Sequence, residues 1–369
     1  MKGDRFVHAR RDVAWGMDIE HAMHKSRMPY QCSLRETLMP NASVFRPSTH
    51  AAPVEPIAAM RDIMEVARLD APGCGAVRGE RLCDWGAVND ELIVWVCRKV
   101  VDDAQVGTVY ARNMETQQLR SVATFTTGGR VKAVRWSPRC SHIGMATDEG
   151  VACIDAGVGR KGWSCTSTGP ATTLEWRDDH IAASCTPSGV DVYDVRVSGG
   201  AVVPLKMASA CTAVFTDHGI AVAGGEHVAV YDMRRCARSL TVLRASHDSV
   251  VALDWAWGKL AVGTLGGEVS VMRSAGMEPV LCTGSGLVGI MWGPRGRGLA
   301  TLSRDTHLVA HCKQTTAQAH CIGDPCHLVH NGDRTRAVVM THNEVAMVFN
   351  VFPPHATPSR AAERRGLIR

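Results

Sequence analysis

Residues 250–272 read VVALDWAWGKLAVGTLGGEVSVM, three short apolar runs separated by two turns that contain glycine. Alternation over such short runs is typical of β-strands, and glycine between the runs is typical of tight turns. The first run places an aromatic residue, Trp255, near its end. The segment therefore predicts three consecutive antiparallel strands, with this tryptophan near the end of the first.

A unit of this kind recurs along the chain at a nearly constant spacing. The anchor residues of the successive units are Trp85, Trp136, Trp176, Phe215, Trp255, Trp292 and Asn331. Consecutive anchors are 51, 40, 39, 40, 37 and 39 residues apart. A period of about 40 to 45 residues is expected of the four-stranded blades of WD-repeat propellers. The sequence therefore predicts an all-β protein, a seven-bladed WD-repeat β-propeller.

The predicted propeller occupies residues 63–352. Its first unit, residues 82–113, is stretched by an insertion at residues 99–105, which accounts for the one long spacing. Because both faces of a blade are apolar, a blade cannot bury them alone, and the ring must close. The apolar segment 63–69, just before the first unit, is the natural candidate for the outermost strand of the last blade.

The two ends of the chain, residues 1–62 and 353–369, lack the repeat. The first segment shows neither strand alternation nor a helical stripe, and it is predicted to be a disordered arm. The second begins with two prolines and is predicted to be a flexible tail. Such segments often dock as peptides in the grooves of partner proteins, so we expect part of the function to reside in them.

The composition disfavours several classes of function. Hydrophobic residues make up 45% of the chain and charged residues 21%, and no window approaches the roughly 18 consecutive apolar residues of a membrane-spanning helix. The net charge of +5 is small and dispersed, so we expect no nucleic-acid partner. The first ten residues do not resemble a secretory signal, and the 14 cysteines are therefore expected to be free thiols in a reducing compartment.

A short motif near the N-terminus, DRFVHAR, places an aromatic and a branched apolar residue between two arginines. This composition suits docking in a groove with acidic walls. The motif resembles the C-box of the Fizzy and Fizzy-related family, the propeller co-activators of the anaphase-promoting complex. His8 stands where that family has proline, and because proline fixes the backbone angle of an extended peptide, we expect weaker docking.

Further segments resemble the same family in its order along the chain. Residues 30–38, YQCSLRETL, are similar to the arm motif of the Fizzy-related branch. Residues 67–72, ARLDAP, followed by Asp84 and Trp85, resemble the family's strand before the propeller and the start of its first blade. The final Ile-Arg resembles the family's C-terminal dipeptide, whose carboxylate is captured by a helical-repeat subunit of the complex.

The resemblance implies a protein that bridges the ligase and its substrates and performs no chemistry. It would recruit destruction-box proteins such as cyclins for ubiquitination, in the nucleus and cytoplasm, without a cofactor and as a monomer outside the complex. The implied ligase-docking residues are Asp4, Arg5, Phe6, Val7, Arg10, Leu34, Leu38, Ile368 and Arg369.

The resemblance also implies a substrate site at the start of the propeller. Asp70 would pair with the arginine of a destruction box, and Leu69 would contribute to the apolar pocket for its leucine. Gly73 stands where the family usually has a glutamate, so we expect weaker binding unless another acid substitutes. Residues 76–78 and 265–267 do not keep the polar types of the family's Lys-Glu-Asn-box pocket, and we assign that pocket to no residue.

Two other classes of function stay open at this point. One is a WD-repeat interaction scaffold outside this pathway; the other is an enzyme whose catalytic residues are assembled across blades. No nucleophile, phosphate-loop or zinc-protease motif is present. The densest Cys/His cluster has a spacing unlike a zinc knuckle, and on adjacent strands of the last blade its side chains should diverge. Its members are His320, Cys321, Cys326, His327 and His330.

Overall fold

The chain forms seven four-stranded antiparallel sheets in this computed structural model. The innermost strand of each blade contacts the innermost strand of the next, and the last contacts the first, so the ring is closed. The predicted seven-bladed all-β propeller is confirmed. The structure describes residues 62–74, 79–88, 92–101, 104–127, 129–197, 203–233, 239–273, 276–312 and 315–353.

The strands are numbered in chain order, beginning with β1 (Met64–Asp70). Blade 1 contains β2 (Cys83–Trp85), β3 (Leu92–Val101), β4 (Ala104–Asn113) and β5 (Leu119–Thr127). Blade 2 contains β6 (Val131–Trp136), β7 (His142–Thr147), β8 (Gly150–Asp155) and β9 (Arg160–Thr166). Blade 3 contains β10 (Thr173–Trp176), β11 (Ile181–Thr186), β12 (Gly189–Asp194) and β13 (Val203–Lys206).

The remaining blades follow the same order. Blade 4 contains β14 (Ala210–Phe215), β15 (Gly219–Gly224), β16 (His227–Asp232) and β17 (Ser239–Arg244). Blade 5 contains β18 (Val250–Ala256), β19 (Lys259–Thr264), β20 (Glu268–Arg273) and β21 (Gly276–Cys282). Blade 6 contains β22 (Leu287–Trp292), β23 (Leu299–Ser303), β24 (His307–Cys312) and β25 (Thr315–His320). Blade 7 contains β26 (Pro325–His330), β27 (Arg336–Thr341), β28 (Val345–Asn350) and β1.

The core lies between the blades. The second strands, such as β11 and β15, are almost wholly buried because they are covered by a neighbouring blade on each face, whereas outermost strands such as β9 are largely exposed. The packing is close: a Cβ atom at Gly144 would lie 2.4 Å from a methyl carbon of Leu174 in the next blade. Helices contribute little, since the described residues hold one 3₁₀ turn, Pro294–Gly296, and no helix long and apolar enough to cross a membrane.

Closure of the ring depends on β1. It pairs antiparallel with β28, from Met64 opposite Asn350 to Asp70 opposite Val345, and supplies the outermost strand of blade 7. The strand predicted to close the ring therefore does so. Leu69 belongs to the core cluster that joins blades 7, 1 and 2 and is only 3% exposed.

Antiparallel strand order gives the ring two distinct faces. The connections between blades and the turns between second and third strands lie on one face, which we call the Asp70 face. The turns between first and second strands lie on the opposite face, which we call the Trp257 face. The insertion at residues 99–105 lengthens β3 and β4 to ten residues each, so their hairpin extends from the Asp70 face.

Closure by β1 can be tested with Leu69→Ala. Because the Leu69 side chain is buried at the junction of the last and first blades, its truncation should lower the free energy of unfolding by roughly 2 to 5 kcal/mol. Urea denaturation followed by tryptophan fluorescence measures the change. The matched control is Val66→Thr on the same strand, where Val66 is 50% exposed; an equal loss in the two variants would contradict the assignment.

Candidate functional site

The predicted site residues divide between the described part of the chain and the rest. Leu69 and Asp70 lie at the C-terminal end of β1, at the junction of blades 7 and 1. The nine predicted ligase-docking residues lie outside the described residues. The junction is therefore the predicted site whose geometry the structure gives.

Asp70 and Leu69 differ in their surroundings although they are adjacent. Successive side chains of a strand point to opposite faces, and here Leu69 enters the core while Asp70 is exposed. Among the described residues, no hydrogen bond or ion pair engages the Asp70 carboxylate. The Asp70 carboxylate is thus accessible to solvent on the Asp70 face, and the Leu69 side chain packs in the core beneath the junction.

The backbone conformation at Gly73, three residues after Asp70, restricts which residue can stand there. Gly73 has a φ of +73°, a region that favours glycine, and a Cβ atom there would lie 2.3 Å from the Cys97 sulfur. A larger residue at this position would require the Cys97 side chain to move and would adopt an unfavourable backbone conformation.

Glu344 is a second exposed acid near the end of β1. It occupies the turn between β27 and β28, its side chain is exposed, and its carbonyl oxygen accepts a hydrogen bond from the Ala71 amide at 2.8 Å. Burial raises the pKa of the Cys97 thiol, and the nearby Glu344 carboxylate raises it further. Asp70, at the end of β1, and Glu344, in the turn before β28, are thus two exposed acids at the junction, which we call the acidic edge.

Glu80, the other acid near the junction, is already engaged. It is buried and forms ion pairs with Arg98 at 2.9 Å and Arg130 at 2.7 Å. Arg98 also donates to the Val131 carbonyl at 3.1 Å, which ties blade 1 to blade 2. Glu80 therefore holds the blade 7 to blade 1 connection in place, and the acidic edge consists of the other two residues.

A ring of residues that the sequence analysis overlooked surrounds the propeller axis. Each stands immediately before an anchor: Asp84, Arg135, Glu175, Val214, Asp254, Met291 and His330. Asp84 accepts a hydrogen bond from the Trp136 amide at 2.7 Å, and Asp254 accepts one from the Trp292 amide at 2.6 Å. The aspartate before the anchor thus links blade 1 to blade 2 and blade 5 to blade 6 through the same kind of hydrogen bond. In the sequence, this ring could have been recognised from the charged residues that recur immediately before four of the anchors.

On one side of this ring, ion pairs join blades 1, 2 and 3, and a hydrogen bond extends the network to blade 4. Arg135 donates to Asp84 at 2.8 Å and to Glu175 at 2.6 Å. Arg81 lies 3.4 Å from Glu175 and donates to the Thr212 hydroxyl at 2.8 Å, so it reaches from blade 1 to blade 4. Although burial opposes its charge, the two carboxylates raise the pKa of Arg135 above its usual value. These contacts hold the inner strands in register around the axis.

The other side of the ring contains a second buried ion pair. Arg334 donates to both oxygens of Asp254, at 2.6 and 3.1 Å, and connects blade 7 to blade 5. Burial and the Arg334 guanidinium lower the pKa of His330 to about 4. Burial, followed by Arg81 and Arg135, lowers the pKa of His327 well below its usual value. Both imidazoles are therefore neutral at physiological pH.

The Cys/His cluster does not lie on one blade, which corrects the expectation from the sequence. His320 ends β25 in blade 6, whereas Cys326, His327 and His330 lie on β26 in blade 7. The buried thiols also belong to separate core clusters, one containing Cys321 and the other Cys326. Within the described segments, no three His, Cys, Asp or Glu side chains are grouped so that they could hold a metal ion.

The described chain is thus a seven-bladed β-propeller with an acidic edge at the junction of blades 7 and 1.

No family model matches its sequence, and no curated protein's sequence matches it. Among solved structures, 1432 chains match, so the fold is shared by very many proteins. One is a chain in a crystal structure of the mitotic checkpoint complex: the TM-score is 0.68 and the identity 18%, covering 79% of this chain and 96% of that chain. At this identity the likeness establishes the fold alone.

The neutral axial imidazoles predict acid sensitivity of the fold. Because the pKa of His330 is about 4 when folded and 6.5 in its usual state, the unfolded chain binds more protons between these values. The contribution of His330 to the free energy of unfolding is therefore complete above pH 6.5. It falls as the pH decreases, by up to about 1.4 kcal/mol per pH unit. Urea denaturation at pH 4.5 to 7.5 measures it.

His330→Gln should flatten that pH dependence. The exposed His247 provides the control substitution, His247→Gln, which should leave the slope unchanged. The same slope in wild type and His330→Gln would contradict the assignment.

Proposed function

We propose that this protein is a substrate-binding co-activator of the anaphase-promoting complex, and that it performs no chemistry. The observation that carries the proposal is the end of β1, where Asp70 is exposed without a partner among the described residues at the junction that closes the ring. Its support is the order of motifs around it: residues 4–10, 30–38, 67–72 and 368–369 resemble the Fizzy family in sequence and in order. The fold is also similar to that of a chain in the mitotic checkpoint complex.

In this proposal the acidic edge binds the arginine of a destruction box. A guanidinium forms two parallel hydrogen bonds with a carboxylate, which gives orientation as well as affinity. Glu344, in the turn before the strand paired with β1, takes the role of the acid that the family has at the position of Gly73. An extended peptide can therefore lie across the junction between blades 7 and 1, with its arginine on Asp70 and Glu344.

The proposed partners follow from the same assignment. The arm motif and the terminal Ile-Arg would bind subunits of the complex, including helical-repeat subunits, while the propeller would bind destruction-box substrates such as cyclins. We further propose that the protein acts in the nucleus and cytoplasm, as a monomer outside the complex and without a cofactor. Nucleic acids and membranes have no part in this proposal.

Binding of the ligase can be tested by affinity purification from dividing cells. Arg5→Ala with Phe6→Ala, and separately deletion of residues 368–369, should each reduce recovery of anaphase-promoting-complex subunits, because each change removes an anchor that the proposal assigns to docking. Arg11→Ala and Arg360→Ala are matched controls, each removing one cation near a motif but outside it. Equal recovery with every variant, or no recovery with the intact protein, would favour a propeller scaffold outside this pathway.

Substrate binding can be tested separately with a fluorescein-labelled peptide that contains one Arg-x-x-Leu sequence in a neutral frame. Asp70→Asn should weaken binding about tenfold, because it removes a charge-assisted hydrogen bond, and Glu344→Gln should also weaken it. The control is Glu226→Gln, which removes a partly exposed carboxylate, ion-paired with Arg244, on the same face in blade 4. Fluorescence anisotropy gives the dissociation constants, and equal affinity of wild type and Asp70→Asn would refute this site.

A further inference from the structure

The turn between β18 and β19 carries an unusual residue for its geometry. Ala256 pairs with Lys259, which leaves a two-residue loop whose φ values are 55° at Trp257 and 72° at Gly258. Positive φ at both positions is the geometry of a type I′ turn, which favours asparagine, aspartate or glycine at the first position. A tryptophan there is strained, because its side chain is bulky.

The strain of Trp257 is not compensated by burial. The residue is 61% exposed, one of the most exposed large apolar residues in the described part of the chain. A Cβ atom at Gly296 would lie 3.1 to 3.4 Å from Trp257, so the tryptophan packs over the backbone of the blade 6 turn at Gly296. The remainder of the ring is open to solvent on the Trp257 face.

Three cations lie in or next to the two turns that Trp257 brings together. Lys259 donates to the Gly296 carbonyl at 3.2 Å and lies 5.5 Å from the centre of the Trp292 ring. Arg295 is exposed and Arg297 half-buried in the same blade 6 turn. None of the three forms an ion pair within the described residues, where the ion pairs involve other side chains.

The acids near this patch are engaged by other residues. Asp254 is buried and paired with Arg334, and Asp217 accepts a hydrogen bond from the Trp255 indole at 3.1 Å. The patch therefore combines an exposed aromatic ring with three cations that form no ion pair among the described residues. An exposed aromatic residue beside cations is the composition of a binding hot spot for a partner of opposite charge.

We propose that Trp257, Lys259, Arg295 and Arg297 form a docking site for an acidic peptide segment that carries an apolar residue between its carboxylates. The apolar residue would cover the exposed part of the Trp257 ring, and the carboxylates would pair with the three cations. A nucleic-acid strand fits less well, because strands are held by a series of stacking rings along a basic groove, and here one exposed ring stands in a compact patch.

This site is independent of the proposed ligase function. It lies on the Trp257 face, opposite the acidic edge formed by Asp70 and Glu344, and it has the opposite charge. A peptide could therefore occupy each site at the same time, and loss of one should leave the other intact.

The test uses the full chain and a fluorescein-labelled peptide of twelve residues, two leucines among ten glutamates. A peptide with glutamines in place of the glutamates controls for charge. Trp257→Asn suits the type I′ turn, so it should keep or raise the melting temperature while weakening binding about 30-fold. Arg295→Gln with Arg297→Gln should weaken binding and reduce its dependence on salt. Arg139→Gln removes an exposed cation of the same face outside the patch and should change neither.

Two outcomes would overturn the proposal. A lower melting temperature of Trp257→Asn with unchanged peptide affinity would show that the ring only braces the blade 6 turn. Tighter binding of a twelve-residue oligothymidylate than of the acidic peptide, lost in the same variants, would show a nucleic-acid surface instead. Loss of peptide binding in Trp257→Asn with an intact melting temperature would establish the docking site.

Discussion

The pairing of β1 with β28 is the contact on which the rest of the molecule depends. A blade has two apolar faces and cannot bury them alone, so each blade is stable only between two neighbours. The strand that precedes blade 1 completes blade 7, and through Leu69 it joins the core of the last and first blades. Closure therefore makes one cooperative unit from seven similar sheets.

The axial ion pairs also connect the blades to one another, at the centre of the ring. Arg135 binds carboxylates from the blades on both sides, and Arg334 connects blade 7 to blade 5. Buried ion pairs contribute little net stability compared with apolar packing, but they penalise arrangements in which a partner is missing. The axial network therefore favours one alignment of the inner strands around the axis, while apolar packing between blades supplies most of the stability.

Closure also creates the candidate site. Asp70 ends the strand that closes the ring, and Glu344 precedes the strand with which β1 pairs, so both acids stand at this junction only when β1 has joined blade 7. Binding at the junction and stability of the ring are thus coupled through one strand. The Trp257 face carries a patch of positive charge around Trp257, whereas the Asp70 face carries the acidic edge. The two faces of the propeller therefore suit partners of different charge.

The repeat alone was sufficient to predict the fold, because apolar alternation and anchor spacing are local features that every blade repeats. The closing strand was predictable for the same reason, since an apolar segment stood unpaired before the first unit. The axial network was not foreseen, although its charges recur at the repeat period, because contacts such as that of Arg81 with Thr212 join residues far apart in sequence. The placement of Asp70 and Glu344 at one junction depends on which strands pair, and the surroundings of Trp257 depend on which turns meet. Strand pairing and turn contacts of this kind are properties of the closed ring.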